Sequence, residues 1–107
     1  MTITELKQIL EAYGKPCAFS HFAEDQKPPY ICWIYTDSSN EFADEMVYKA
    51  IKSIQIEYYV RQDVPTEVLA FENYLTSHKV RWEQTGQEWL DEEKIYLFTY
   101  QTEVLNG

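Results

Sequence analysis

Catalysis needs groups that exchange protons, donate electron pairs or hold metals, and few residues of this 107-residue chain are spaced to do so. His21 and His78 are its imidazoles. The first falls in a strand-like run, the second at the end of a helical pattern, where the dipole favours a cation. Cys17-x-x-x-His21 sets a thiol four residues from an imidazole but lacks the paired ligand spacing of a zinc site. Cys17 and Cys32 each lie in apolar runs, where a free thiol packs as a small hydrophobe. The acidic groups Asp44-Glu45 and Asp91-Glu92-Glu93 could do acid–base work only if burial shifted their pKa values, and both lie in polar stretches. The sequence holds no Gly-rich phosphate loop, no HExxH, no CxxC and no nucleophile elbow. These residues predict a protein that is not an enzyme and that uses no metal or cofactor.

The elements that would position these groups follow from hydrophobic periodicity. Thr2 and Glu5 have the spacing of a capping box, and Leu6, Ile9, Leu10 and Tyr13 recur at helical spacing before Gly14 and Pro16. A helix is predicted over residues 3–13. Residues 17–22 read as a short strand, and Lys27-Pro28-Pro29 delays the next one. Tyr30 to Thr36 is β-branched and aromatic on both alternations, which predicts a strand covered on both faces. The polar stretch from Asp37 to Tyr48 reads as a long loop.

In residues 52–61, Ile54, Ile56, Tyr58 and Val60 share one face and Ser53, Gln55, Glu57 and Tyr59 the other, predicting a half-exposed strand. Asp63, Pro65 and Glu67 signal a helix start, with Val68, Phe71 and Leu75 on its apolar side and an end near His78-Lys79. Val80 to Gln84 then leads through an acidic connection containing Gly86 into a strand over 95–104. The order α-β-β-β-α-β-β fits an α+β domain: a single layer of mainly antiparallel sheet with two helices on one face.

Composition bounds the function. A chain of 12.7 kDa with 45% hydrophobic and 16% aromatic residues can bury one core, so residues 1–107 are expected to form a single domain. A formal net charge of −9, with the nine basic residues scattered, argues against direct nucleic-acid binding and against anionic membranes. No apolar run suits a membrane span and the first residues do not resemble a secretion signal, which predicts a soluble, cytosolic protein.

Several segments taken together resemble a known group. Pro29-Tyr30-Ile31 opens an aromatic strand, and Ser38-Ser39-Asn40-Glu41-Phe42-Ala43-Asp44 and Val47-Tyr48-Lys49 follow. Tyr58 lies in the central strand, and Glu88-Trp89-Leu90 precedes Glu93-Lys94-Ile95-Tyr96. In this order and spacing, from Pro29 to Glu103, the chain resembles the small minor tail proteins of tailed bacteriophages and of prophages of Gram-positive bacteria, the tail-completion and tail-terminator proteins. The resemblance implies an α+β structural protein that assembles as a ring, commonly a hexamer, at the head-proximal end of the tail tube. Its partners would be further copies of itself and the tail-tube and head-connector proteins. It would be found in the host cytoplasm during assembly and in the virion tail or neck afterwards.

A ring former must bury surface between identical subunits, and aromatic side chains give large contact area at small entropic cost. Tyr30, Trp33, Tyr35, Phe42, Asp44, Tyr48 and Trp89 are therefore the expected interface residues, with the stretch from Asp37 to Tyr48 as a contact arm. Either Asp44-Glu45 or Asp91-Glu92-Glu93 would face the channel of such a ring. The alternative is an acidic DNA mimic or another protein-binding inhibitor, which needs carboxylates spaced like phosphates along one face.

Overall fold

The computed structural model describes residues 1–43 and 46–106, with side chains described for residues 1–36 and 51–105. Two helices and five strands follow in the expected order: α1 (Ile3–Ala12), β1 (Cys17–Phe19), β2 (Tyr30–Ala43), β3 (Met46–Val60), α2 (Val64–Ser77), β4 (Glu83–Leu90) and β5 (Ile95–Asn106). The five strands form one sheet in the order β1-β2-β3-β5-β4, antiparallel throughout except for the β1–β2 pair. The fold is the α+β layer that the periodicity predicts.

Local chemistry sets the helix ends. Thr2 Oγ1 accepts the Glu5 N–H at 3.2 Å, which satisfies one of the orphan donors of the first turn of α1. At α2 the expected side-chain cap is replaced. Asp63 sits in the left-handed region at φ 52°, makes no side-chain cap bond, and uses its carbonyl to accept the Glu67 N–H at 2.9 Å. The C-terminus of α2 closes by a Schellman arrangement in which Val80 N–H reaches Leu75 O at 2.9 Å and Lys79 N–H reaches Thr76 O at 3.0 Å. Lys79 takes the left-handed position, φ 63°, that glycine usually occupies.

Both helices lie on one face of the sheet. Leu6 and Leu10 of α1 and Phe71 and Leu75 of α2 join Ile31, Trp33, Ile54, Ile56, Tyr58, Val60, Phe98, Tyr100 and Val104 in one buried cluster. The register explains which strand residues take part: Ile31 opposes Tyr58, Trp33 opposes Ile56, and Ile56 opposes Tyr100, so alternate residues of three strands share the helix side. Two tyrosines then tie α2 to the layer beneath it. Tyr58 Oη donates to Glu67 Oε2 at 3.0 Å and Tyr100 Oη donates to Glu72 Oε2 at 2.8 Å, while Phe71 stacks on Tyr58 with centroids 4.3 Å apart.

Three expected boundaries are corrected. Residues 37–43 and 46–48 are strand, where a loop was expected: β2 continues to Ala43 and β3 begins at Met46, paired from Tyr30↔Tyr59 to Ala43↔Met46 with register shifts at Tyr35/Asp37 and Glu41/Phe42. Backbone pairing satisfies a strand whatever the polarity of its side chains, so the polar composition is no bar. Second, β1 ends at Phe19 because Ser20 turns into the left-handed region at φ 67°. Third, the strand expected over Val80–Gln84 begins only at Glu83 and runs on to Leu90, so that β4 takes in residues 85–90 of the stretch read as a connection. Gly86 lies in this strand beside a bulge, where a Cβ would meet Thr99 Oγ1 at 2.7 Å. The glycine serves close strand approach there, and the turn falls at residues 91–94 instead.

Candidate functional site: an aromatic patch, a long hairpin and an open sheet face

The first candidate surface lies where β1 pairs with β2. Parallel register sets Phe19 beside Trp33, on the helix side of the sheet. Phe19 and Trp33 meet edge to face at 4.8 Å and Trp33 and Tyr35 at 5.8 Å, while Phe19 and Tyr35 lie tilted at 5.8 Å. Trp33 is 6% exposed and belongs to the core, whereas Phe19 and Tyr35 remain 52% and 46% exposed. One buried indole thus supports two exposed rings, an arrangement that offers rigid apolar contact area.

From this patch the β2–β3 hairpin runs on beyond its neighbours. Strand β1 stops at Phe19↔Trp33 and β5 reaches only Ala50↔Asn106, so among the described residues the distal part of the hairpin pairs only with itself. Fourteen and fifteen residues at about 3.3 Å each give strands of roughly 45–50 Å, close to the 52 Å long axis of the molecule.

Among the described residues, the face of the sheet opposite the helices carries no helix. Tyr30, Cys32, Ile34, Gln55, Glu57, Tyr59, Leu97, Thr99 and Gln101 alternate with the core residues, and most are half-buried by one another. Tyr30 stacks on Tyr59 with centroids 4.5 Å apart, and Glu57 accepts from Tyr59 Oη and Gln55 Nε2, both at 3.1 Å. Burial raises the Tyr59 hydroxyl well above its ordinary range, with Glu57 adding to it.

The expected interface residues are therefore dispersed. Trp33 and Tyr35 come together, with Phe19 as a third member that the sequence reading missed. Tyr30 lies on the other face. Trp89 projects from β4, half-exposed against Tyr96 at 4.7 Å, its Nε1 donating to Asp91 Oδ1 at 3.2 Å. Phe42 and Tyr48 fall in the distal hairpin, their side chains outside the described residues, and Asp44 lies outside them altogether. Of the two acidic segments, Asp44-Glu45 lies outside the described residues, while Asp91 pairs with Lys94 Nζ at 3.1 Å across the 91–94 turn.

Of the other chemistry-bearing groups, His21 is exposed, with Nδ1 3.1 Å from Ser20 Oγ. His78 Nδ1 lies 2.9 Å from Tyr74 O and its ring packs on Tyr74. Cys17 and Cys32 sit on adjacent strands but on opposite faces of the sheet, and burial pushes each thiol up to about 11. Among the described residues no three His, Cys, Asp or Glu side chains gather as a metal site, and no helix is long and apolar enough to cross a membrane. No family model matches the chain, and no curated protein shows significant similarity to it.

Proposed function

We propose that the protein is a structural subunit of a phage or prophage tail, assembling with further copies of itself into a ring at the head-proximal end of the tail tube, as a tail-terminator, tail-completion or head–tail joining protein. The observation that carries this reading is the long hairpin rising from the exposed Phe19–Trp33–Tyr35 patch. A strand pair that extends past its own core finds burial on a neighbour, and an exposed aromatic cluster at its foot is the surface such a neighbour would cover. The sequence resemblance from Pro29 to Glu103 supplies the tail context. Its partners on this reading are tail-tube and head-connector proteins.

The test is replacement of Phe19 and Tyr35 by Ser. Both are exposed in the isolated chain, so the thermal midpoint should hold while the ring is lost from sedimentation profiles at assembling concentrations. In the parent phage or prophage the variant should give unjoined heads or tails of abnormal length by negative-stain microscopy. Normal infectious particles from a deletion of the gene would remove the structural reading.

A further inference from the structure

At one end of the open face the segment between β1 and β2 and the sheet together line an open cleft of about 420 Å³. Phe22 from that segment meets Tyr30 edge on at 5.5 Å, and Tyr30 stacks on Tyr59, which gives the cleft an aromatic wall. Glu24, Asp25 and Glu93, all exposed, line it together with the exposed His21. Arg61 also lines it, but its guanidinium is occupied with the 91–94 turn: Nη2 donates to Glu93 O at 3.1 Å and Nε to Lys94 O at 3.4 Å.

Among the described residues none of these three carboxylates is held in an ion pair. Among the described residues the one ion pair is Lys94–Asp91, outside this cleft. The field of the carboxylates converges on the aromatic wall as well. The Tyr30 hydroxyl is raised by burial first, and then by Cys32, Glu93, Asp25 and Glu57. The cleft thus combines ring surfaces with an excess of negative charge, at a size suited to one long side chain rather than a helix or strand.

We propose that this cleft receives an arginine side chain presented by a partner protein. A guanidinium is planar and weakly hydrated, packs against aromatic rings, and pairs with carboxylates through two donors at once. Charge complementarity identifies the occupant: three carboxylates line the cleft against one guanidinium, that of Arg61, two of whose donors go to backbone carbonyls, so negative charge is in excess. Phe22 and Tyr30 would cover the aliphatic stem, with Asp25 and Glu93 at the charged end. The cleft lies on the opposite face of the sheet from the Phe19–Tyr35 patch, so this inference stands apart from the tail assignment.

The probe is the capped tripeptide acetyl-Gly-Arg-Gly-amide, titrated into the full chain and followed by amide chemical shifts. Saturable binding with Kd on the order of 0.1–1 mM is expected, with shifts confined to residues around Phe22, Tyr30, Tyr59 and Glu93. Asp25→Asn and Glu93→Gln should each weaken binding about fivefold, while Glu5→Gln, on α1 at the other face, should leave it unchanged. Replacing the peptide's arginine by citrulline, which keeps the shape and removes the charge, should abolish binding. Equal binding of the citrulline peptide, shifts spread over the acidic surface, equal weakening by Glu5→Gln, or no saturation would each overturn the proposal. A circular-dichroism melt of every variant checks that a loss is not one of folding.

Discussion

Phe71 is the residue through which α2 holds the sheet, and its removal gives the clearest measure of that contact. Its side chain is 0% exposed, stacks on Tyr58 at 4.3 Å, and meets Tyr13 at 5.3 Å and Tyr100 at 5.8 Å. Phe71→Ala deletes the ring from a site whose backbone is fixed on both sides, with Glu67 and Glu72 bonded to the two tyrosines flanking it. The cavity cannot collapse fully, so the cost should be about 3–5 kcal/mol, the range for a buried Phe→Ala change. At about 0.05–0.15 kcal/mol per residue, a chain of 107 residues has roughly 5–16 kcal/mol in total. The variant should therefore remain folded in buffer with much of its margin gone. In urea titration followed by tryptophan fluorescence, a slope of about 1.5 kcal/mol/M translates this into a midpoint lower by roughly 2–3 M. Leu69→Ala on the same helix, at a side chain 59% exposed, should move the midpoint by less than about 0.5 M. If the two variants shifted it equally, α2 would not be packed through Phe71 and the arrangement of the helix layer would be wrong.

Neighbouring residues of β3 should respond oppositely to the same charge. Ile56→Asp buries an unpaired carboxylate between Trp33 and Tyr100 and should cost several kcal/mol, whereas Gln55→Asp on the open face should be mild, and paired urea melts measure the difference. The two thiols should make the fold less stable in alkali. Burial raises Cys17 and Cys32 from 9.0 to about 11, so the unfolded chain ionises first; their contribution is complete below pH 9 and is lost as pH rises through 11. Urea midpoints at about pH 8 and about pH 10.5 should differ less in the Cys17→Ala/Cys32→Ala variant than in the parent, and an unchanged pH slope would show that the thiols are not the cause.

Much of the layer was legible because burial leaves a periodic trace. Ile54, Ile56, Tyr58 and Val60 repeat every second residue, Leu6 and Leu10 every fourth, and each set faces the core as its spacing predicts. The capping of α1 was legible for the same reason, since Thr2 and Glu5 act within one turn. The distal hairpin left no such trace. Its strands are held by pairing between backbones, which composition does not record, so Asp37 to Tyr48 read as a loop although nearly all of it is strand. Gly86 misled in the opposite sense: a glycine that usually marks a turn was required by Thr99 on the adjacent strand.

The surfaces were less legible than the core, and the reason is register. Phe19 joins Trp33 and Tyr35 only because β1 runs parallel to β2 and stops after three residues, and no periodicity within either segment specifies that pairing. Tyr30 and Trp33, three residues apart, fall on opposite faces, so an aromatic run that reads as one surface becomes two. The aromatic–acidic cleft draws on the β1–β2 connection, β2, the end of β3, the 91–94 turn and the start of β5, with Ser20 and Ile95 seventy-five residues apart. By itself, the sequence determined which residues could be buried and the element order α-β-β-β-α-β-β, because each element carries its own period. Which aromatic and charged groups meet was decided by the tertiary structure, because strand order, direction and register are settled by pairing between distant segments.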